Sequence, residues 1–397
     1  MDFNQAALEL HEKYHGKVGM VSKTPIKNRE QLSTAYTPGV AEPCRRIAAN
    51  PDDVYKYTFK SNMVAVVTNG TAVLGLGNIG AAAGLPVMEG KCALFKEFGG
   101  VEAFPICLDS EDPEEVIRAV EMLAPQFGGI NLEDIRSPEC FEIERRLEEK
   151  LDIPVFHDDQ HGTAIIVTAA LLNALKVEGK QLKDVKIVHN GPGAAGTAII
   201  KMLQTAGATD ITAVDEHGIL YPGRPAGLAD HKEWLAGVTN PRHLTGGLAE
   251  AVKGADVFIG TSVANVLTPE MIKTMNKDAV VFAMANPNPE VMPDVAKAAG
   301  VRVIGTGRSD FPNQINNVLA FPGVFKGALS VRARDINPQM KLAAVNALAG
   351  IITDEELNED YIIPGAFDPR VVDRIAAAVA QAARDTGVAR LSTGELL

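Results

Sequence analysis

The sequence predicts an α/β protein in two parts: an N-terminal α/β domain over residues 1–160, which carries candidate substrate and metal groups, and a Rossmann-like, doubly wound parallel-sheet domain over 161–397. Three observations lead there. At 397 residues the chain exceeds one ordinary core, so two domains are the default. Beyond Val185, short apolar runs alternate with helical stretches, the rhythm of a parallel sheet covered by helices. Between the first of those runs and its helix, Gly191, Gly193 and Gly196 stand in GxGxxG spacing.

Composition narrows the class. Hydrophobic residues make up 46% and charged residues 22%, the balance of a soluble globular enzyme. A net charge of -12 and a pI near 5.2 argue against nucleic acid, which demands a basic face. The N-terminus lacks a charged region followed by an apolar run, and no stretch of about 18 apolar residues appears. Neither a signal peptide nor a membrane partner is expected, and the cytoplasm is the expected compartment. Cys44, Cys92, Cys107 and Cys140 are scattered without metal spacing, so buried free thiols are expected.

In the first half, residues 4–15 have helical character. Pro38-Gly39 after Tyr36-Thr37 makes a tight turn that can present a tyrosine to a cleft, although taken alone it reads first as a surface tyrosine beside a turn. A buried strand over 63–67 leads to Gly75, Gly77 and Gly80, also in GxGxxG spacing. No acidic residue closes a second strand about 20 residues later, so these glycines read as a backbone-packing hairpin. Lys91 precedes Cys92-Ala93-Leu94-Phe95, an apolar run that opens a buried helix or strand. A lysine partly desolvated there has a lowered pKa and can accept a proton near neutrality; an exposed one does neither. Residues 103–109 form another strand, and Asp112-Pro113-Glu114-Glu115 starts a helix.

Residues 127–135 read as a strand ending in Glu133 and Asp134. The next strand, 151–155, leads into Phe156-His157-Asp158-Asp159-Gln160-His161-Gly162-Thr163, with a helix expected from Ala164 to Leu175 and capped by Gly162-Thr163. Adjacent carboxylates repel unless a cation neutralises them. Two acidic strand ends facing one cleft therefore favour a hard cation, Mg²⁺ or Mn²⁺; carboxylates outnumber the histidines, which speaks against zinc.

In the second half the strand 185–190 is followed by the Gly191–Gly196 turn, a helix, and a strand that ends in Asp215. Such glycines allow close pyrophosphate approach at the helix N-terminus, and Asp215 stands where a ribose hydroxyl is held. An acid there repels a 2′-phosphate, so NAD is the expected cofactor, with NADP left open and Lys232 moderating the preference. Thr163, Ala194 and Ala195 complete the expected cofactor set with Asn286. Strands follow over 255–262, 279–285 and 301–307, and the loops holding Asn286 and Asn316-Asn317 suit a carboxylate or carboxamide. Residues 371–384 have the periodicity of a terminal helix.

Taken together, Tyr36-Thr37-Pro38-Gly39-Val40-Ala41, Gly90-Lys91, Leu132-Glu133-Asp134, His157 to Ala164 and Gln314-Ile315-Asn316-Asn317-Val318 closely resemble the malic enzymes, in particular their short bacterial form. The resemblance implies metal-dependent oxidative decarboxylation of L-malate to pyruvate and CO₂ with reduction of NAD or NADP. It implies Lys91 as the base that takes the C2 hydroxyl proton and Tyr36 as the acid that protonates the enol at C3. It implies Glu133, Asp134 and Asp159 as ligands of Mg²⁺ or Mn²⁺, Asp158 as their support, and Asn286 and Asn317 as the substrate- and nicotinamide-side asparagines. It further implies a homodimer in which Tyr36 serves the neighbouring cleft. Two positions depart from the longer enzymes: Thr71 replaces an arginine, and His157 replaces an asparagine. Two alternatives compete, a lyase that mainly decarboxylates oxaloacetate and a non-catalytic dinucleotide sensor.

Overall fold

The computed structural model describes residues 2–73, 75–228 and 230–392. Its first sheet comprises β1 (Met63–Thr68), β2 (Glu102–Cys107), β3 (Gly129–Leu132) and β4 (Val155–His157), all parallel, in the order β2-β1-β3-β4. The second comprises β5 (Lys186–Asn190), β6 (Asp210–Asp215), β7 (Gly218–Ile219), β8 (Val257–Gly260), β9 (Val280–Ala283) and β10 (Val303–Thr306), in the order β10-β9-β8-β5-β6-β7. Only β7 runs antiparallel. The chain reverses direction across the sheet between β1 and β3, and again between β5 and β8. Such switch points open a crevice at the carboxyl ends of the strands, where α/β proteins bind ligands.

Register decides what emerges there. Leu132 pairs with Val67 on one side and His157 on the other, so Glu133-Asp134 and Asp158-Asp159 leave the sheet side by side. Over them lies helix Ala81–Gly99, whose Met88, Lys91, Cys92 and Phe95 form one buried stripe at i, i+3, i+4 and i+7 spacing. Lys91 therefore sits in mid-helix and not at the start of an element. Pro86 lies inside the same helix, where it removes one backbone N–H bond and does not end the element.

Helix Asp158–Val177 is buried continuously from Ala164 to Leu171, as expected of a helix apolar on every side. The boundary expected between residues 160 and 161 falls within it. Its apolar core joins Val64 and Val66 of β1 to Ile187 of β5 and Val280 of β9. The C-terminal helices Phe321–Ser330, Pro338–Ala349 and Arg370–Asp385 return to this core. Phe95 packs 4.7 Å from Phe321 and 5.3 Å from Phe325, and Phe156 lies 5.7 Å from Phe325. Each such fully buried ring contributes about 1.5–3 kcal/mol, so the end of the chain is fastened to the N-terminal sheet.

The first fifty residues contrast with this. Helices Phe3–Tyr14, Arg29–Ala35 and Ala41–Ala49 contain no buried residue, and Phe3, Met20 and Val21 are largely exposed. All four cysteines are free; Cys92 and Cys140 are buried as expected, but Cys107 is only half-buried and Cys44 is exposed. No helix among the described residues is long and apolar enough to cross a membrane.

Candidate active site

Lys91 is the centre of the crevice. Its Nζ donates to Asp158 Oδ2 at 2.6 Å and pairs with Glu133 Oε1 at 2.8 Å, and it lies 4.2 Å from the centre of the Phe321 ring. Burial works against its charge, but Asp158 and Glu133 outweigh burial and hold its pKa above the ordinary lysine value. The lowered pKa expected from desolvation alone is thus reversed by two carboxylates that contiguous sequence does not place beside it.

Glu133, Asp134 and Asp159 offer ligand oxygens that all lie within 4.8 Å of one another. Asp158 and Glu133 contact the Lys91 ammonium directly, which ties this acid cluster to the lysine. Burial, together with repulsion from Glu133, pushes Asp158 up to about 7 despite Lys91. Burial, with repulsion from Asp158, pushes Asp159 up to about 6, and Glu133 is also raised, chiefly by burial. Hard oxygen ligands with a surplus of negative charge fit a divalent cation.

The local hydrogen bonds fix these groups. Asn131 Nδ2 donates to Glu133 Oε2 at 2.8 Å, the Asp134 N–H to Asp159 Oδ2 at 2.8 Å, and Asn317 Nδ2 to Asp158 Oδ2 at 2.5 Å. The helix begins at Asp158, not at Ala164, so Gly162-Thr163 is no cap. Asp158 and Asp159 occupy its first turn, where carboxylates complement the helix dipole. Gly162 has a different role: a Cβ on it would come within 1.9 Å of Asp158 Oδ1. The glycine leaves room for the carboxylate that anchors Lys91.

Other expected residues lie further out. Tyr36 is 65% exposed on the arm that has no buried residue, and among the described residues no hydrogen bond joins it to the acid cluster. Thr71 Oγ1 donates to Asn69 and accepts the Arg136 N–H, so it holds a turn. In the same loop Val73 and Gly77 form an antiparallel bridge, in agreement with the hairpin reading. A Cβ on Gly75 would stand 3.2 Å from the Asn286 carbonyl oxygen, so this loop leans over the exposed Asn286. Thr163 lies half-buried in the second turn of its helix.

At the second switch point, β5 leads through Gly191 into helix Ala194–Thr205. Gly191 has φ 93°, and a Cβ on Gly196 would meet the Gly191 carbonyl oxygen at 2.4 Å. The expected dinucleotide turn is present, with Gly193 exposed and Ala194 and Ala195 half-buried at the helix start. Asp215 differs from expectation. Its Oδ1 accepts from Arg224 Nη1 at 2.7 Å and the His217 N–H at 2.9 Å; its Oδ2 accepts from Arg224 Nη2 at 2.8 Å and Lys232 Nζ at 2.9 Å. Although burial opposes ionisation, these donors hold its pKa down at about 2. A carboxylate has about four lone-pair sites, and all are engaged, so Asp215 is neither a bare charge nor a free ribose acceptor.

A dinucleotide sheet joined to a buried lysine–acid crevice defines a nicotinamide-dependent oxidoreductase. Comparison with known proteins gives the family. Residues 15–148 match malic enzyme, N-terminal domain, and residues 160–384 match malic enzyme, NAD binding domain. The chain is 56% identical over 392 residues to the bifunctional malic/malolactic enzyme of Bacillus subtilis (strain 168), covering 99% of this chain and 96% of that one. It is 57% identical over 375 residues to the NAD-dependent malic enzyme of Geobacillus stearothermophilus, covering 94% of this chain and 78% of that one. The crystal structure of malic enzyme from Pyrococcus horikoshii Ot3 superposes with a TM-score of 0.93 at 49% identity, covering 97% of this chain and 92% of the other. The chain belongs to the malic enzyme family, which has NAD-dependent and NADP-dependent members, and its activity is oxidative decarboxylation of malate.

Proposed function

We propose that Lys91 and Tyr36 are the proton-transfer residues of this reaction, and that Glu133, Asp134 and Asp159 hold Mg²⁺ or Mn²⁺. The observation that carries the reading is the position of Lys91 Nζ, 2.8 Å from Glu133 and 2.6 Å from Asp158, inside the buried acid cluster. With a cation bound to offset the acids around it, Lys91 would release its own proton and, as the neutral amine, take the proton of the malate C2 hydroxyl, while Asp158 and Asn317 keep the lysine aimed. A bound nicotinamide would supply the hydride acceptor. A bound divalent cation would compensate the acids that hold the Lys91 proton and would polarise the substrate's C2 oxygen and C1 carboxylate. Tyr36 carries a phenolic O–H that donates its proton to C3 after CO₂ departs. Asn286 stands on the substrate and nicotinamide side.

We further propose a homodimer in which Tyr36 reaches the partner's crevice. Support comes from the arm itself, with exposed Phe3, Met20 and Val21 and no buried residue in three helices. The neutralised Asp215 supports acceptance of NADP beside NAD, a weaker bias toward NAD than the acid alone implies. The free cysteines support a cytoplasmic enzyme. Residues 1–160 and 161–397 serve as the metal-holding and dinucleotide-binding parts, joined through helix Asp158–Val177.

Lys91→Ala tests the assignment with L-malate, Mn²⁺ and each cofactor. The expected result is a fall in kcat of about 10²–10⁴-fold, with dinucleotide binding within about twofold of the parent. Turnover near the parent's would place the base elsewhere. Lactate should be followed beside pyruvate, because the Bacillus subtilis relative is named for malolactic activity as well.

A further inference from the structure

Helix Asp158–Val177 starts without a cap of its own: His157 occupies the cap position and makes no side-chain cap bond. The missing acceptor comes from another helix. Glu144, on helix Glu139–Lys150, is buried, and its Oε1 accepts the His157 N–H at 2.7 Å. Its Oε2 accepts from Gln160 Nε2 at 3.1 Å and lies 3.0 Å from His161 Nε2. All three contacts fall on residues 157–161, the segment that carries Asp158 and Asp159.

We propose that Glu144 is a positioning residue for the cation site, setting the rotation and depth of the helical turn that aims Asp158 and Asp159. This rests on the reading of Glu133, Asp134 and Asp159 as metal ligands. Consecutive helical residues point about 100° apart. Asp158 can therefore meet Lys91 and Asn317 while Asp159 meets the Asp134 N–H only at one rotation of the helix. Productive ligand geometry tolerates only about 0.5 Å and 10–20°. Backbone hydrogen bonds within the helix do not fix that rotation relative to β3; a carboxylate anchored on the neighbouring helix does. The buried negative charge also sits at the helix N-terminus, where it is favourable. Removing such an outer partner of metal ligands commonly weakens metal binding about 10–100-fold.

The test is Mn²⁺ binding to the metal-free full-length protein, by calorimetry or electron paramagnetic resonance, for the parent, Glu144→Gln and Asn173→Ala. Asn173 is a control for general destabilisation. It is buried in the same helix, far from the first turn, where its Nδ2 donates to the Ala349 and Ile362 carbonyls. Glu144→Gln keeps one oxygen for the His157 N–H, turns the oxygen that accepts from Gln160 into an NH₂ donor, and removes the negative charge beside His161. It should weaken Mn²⁺ by about 10–100-fold, leave NAD affinity within about twofold, and regain kcat at high Mn²⁺. Asn173→Ala should melt earlier yet bind Mn²⁺ within about twofold of the parent. Equal Mn²⁺ affinity in parent and Glu144→Gln overturns the proposal, as does an equal loss in both variants. If Glu144→Gln does not fold, Gln160→Ala removes one of the donors, and an unchanged Mn²⁺ affinity there is equally contrary. A parent that binds no Mn²⁺ overturns the metal-site reading itself, an outcome distinct from the others.

Discussion

Two acidic strand ends in this chain look alike in sequence and behave oppositely in the fold. After β6, Asp215 is matched by Arg224 and Lys232 and accepts four hydrogen bonds. After β3 and β4, Glu133 and Asp158 pair with the ammonium of Lys91, and Asp134 and Asp159 lie close beside Glu133. The first site is balanced by cations of the chain itself; the second gathers raised carboxylates around one paired lysine, which supports the cation we propose there. An acid in a sequence is therefore a question about its partners. Where the protein supplies them, as around Asp215, the acid organises a loop.

The largest effect is expected from removing a ligand at the deficient site. Asp159→Asn should lower kcat/KM for malate by at least about 10²-fold, through loss of metal-dependent stabilisation worth several kcal/mol. Steady-state rates across a Mn²⁺ series measure this, and full activity at saturating Mn²⁺ would exclude Asp159 as an essential ligand. A smaller effect is expected at the balanced site. Lys232 is the partly exposed cation on Asp215, so Lys232→Ala should leave Asp215 balanced by Arg224 alone and reduce kcat/KM with NADP by about tenfold more than with NAD. Parallel kinetics with the two cofactors decide it, and an unchanged ratio would remove Lys232 from cofactor selection.

The smallest effect, and the sharpest contrast, is in stability against pH. Asp158 at about 7, Asp159 at about 6 and Glu133 are raised by folding. Their contribution is complete below the unfolded carboxylate pKa of about 4 and is lost as pH rises through about 6–7. Asp215, lowered to about 2, works the other way: its contribution is complete above about 4 and is lost as pH falls toward 2. Metal-free protein should therefore melt a few degrees lower at about pH 8 than at about pH 5.5, and Mn²⁺ should remove that difference. Thermal melts at both pH values, with and without Mn²⁺, check it; a metal-free melting temperature that rises with pH would contradict the sign.

Much of this was legible in the sequence because it is local. The GxGxxG turn between β5 and its helix, the acid pairs at strand ends and the terminal helix are contiguous patterns, and the structure has them. What escaped was whatever depends on distant partners. The sequence leaves Lys91 between a desolvated and an exposed lysine; the fold buries it, yet Glu133 and Asp158 reverse the shift that burial alone would give. Glu144 reads as one acid among many on an amphipathic helix, and nothing nearby announces that it caps a different one. Arg224 looks like a loop arginine, though it occupies two of the acceptor positions expected for a ribose. The start of helix Asp158–Val177 was misread because Gly162-Thr163 resembles a cap, whereas Gly162 serves the close approach of Asp158. Its small size carried the signal, but only the fold shows what it makes room for.

We propose that the lysine–acid crevice works only with a divalent cation. This is tested most directly by nicotinamide reduction with L-malate before chelation, after chelation, and after Mn²⁺ is returned. The account predicts loss of turnover on chelation and its recovery with Mn²⁺. Turnover that survives thorough chelation unchanged would contradict it.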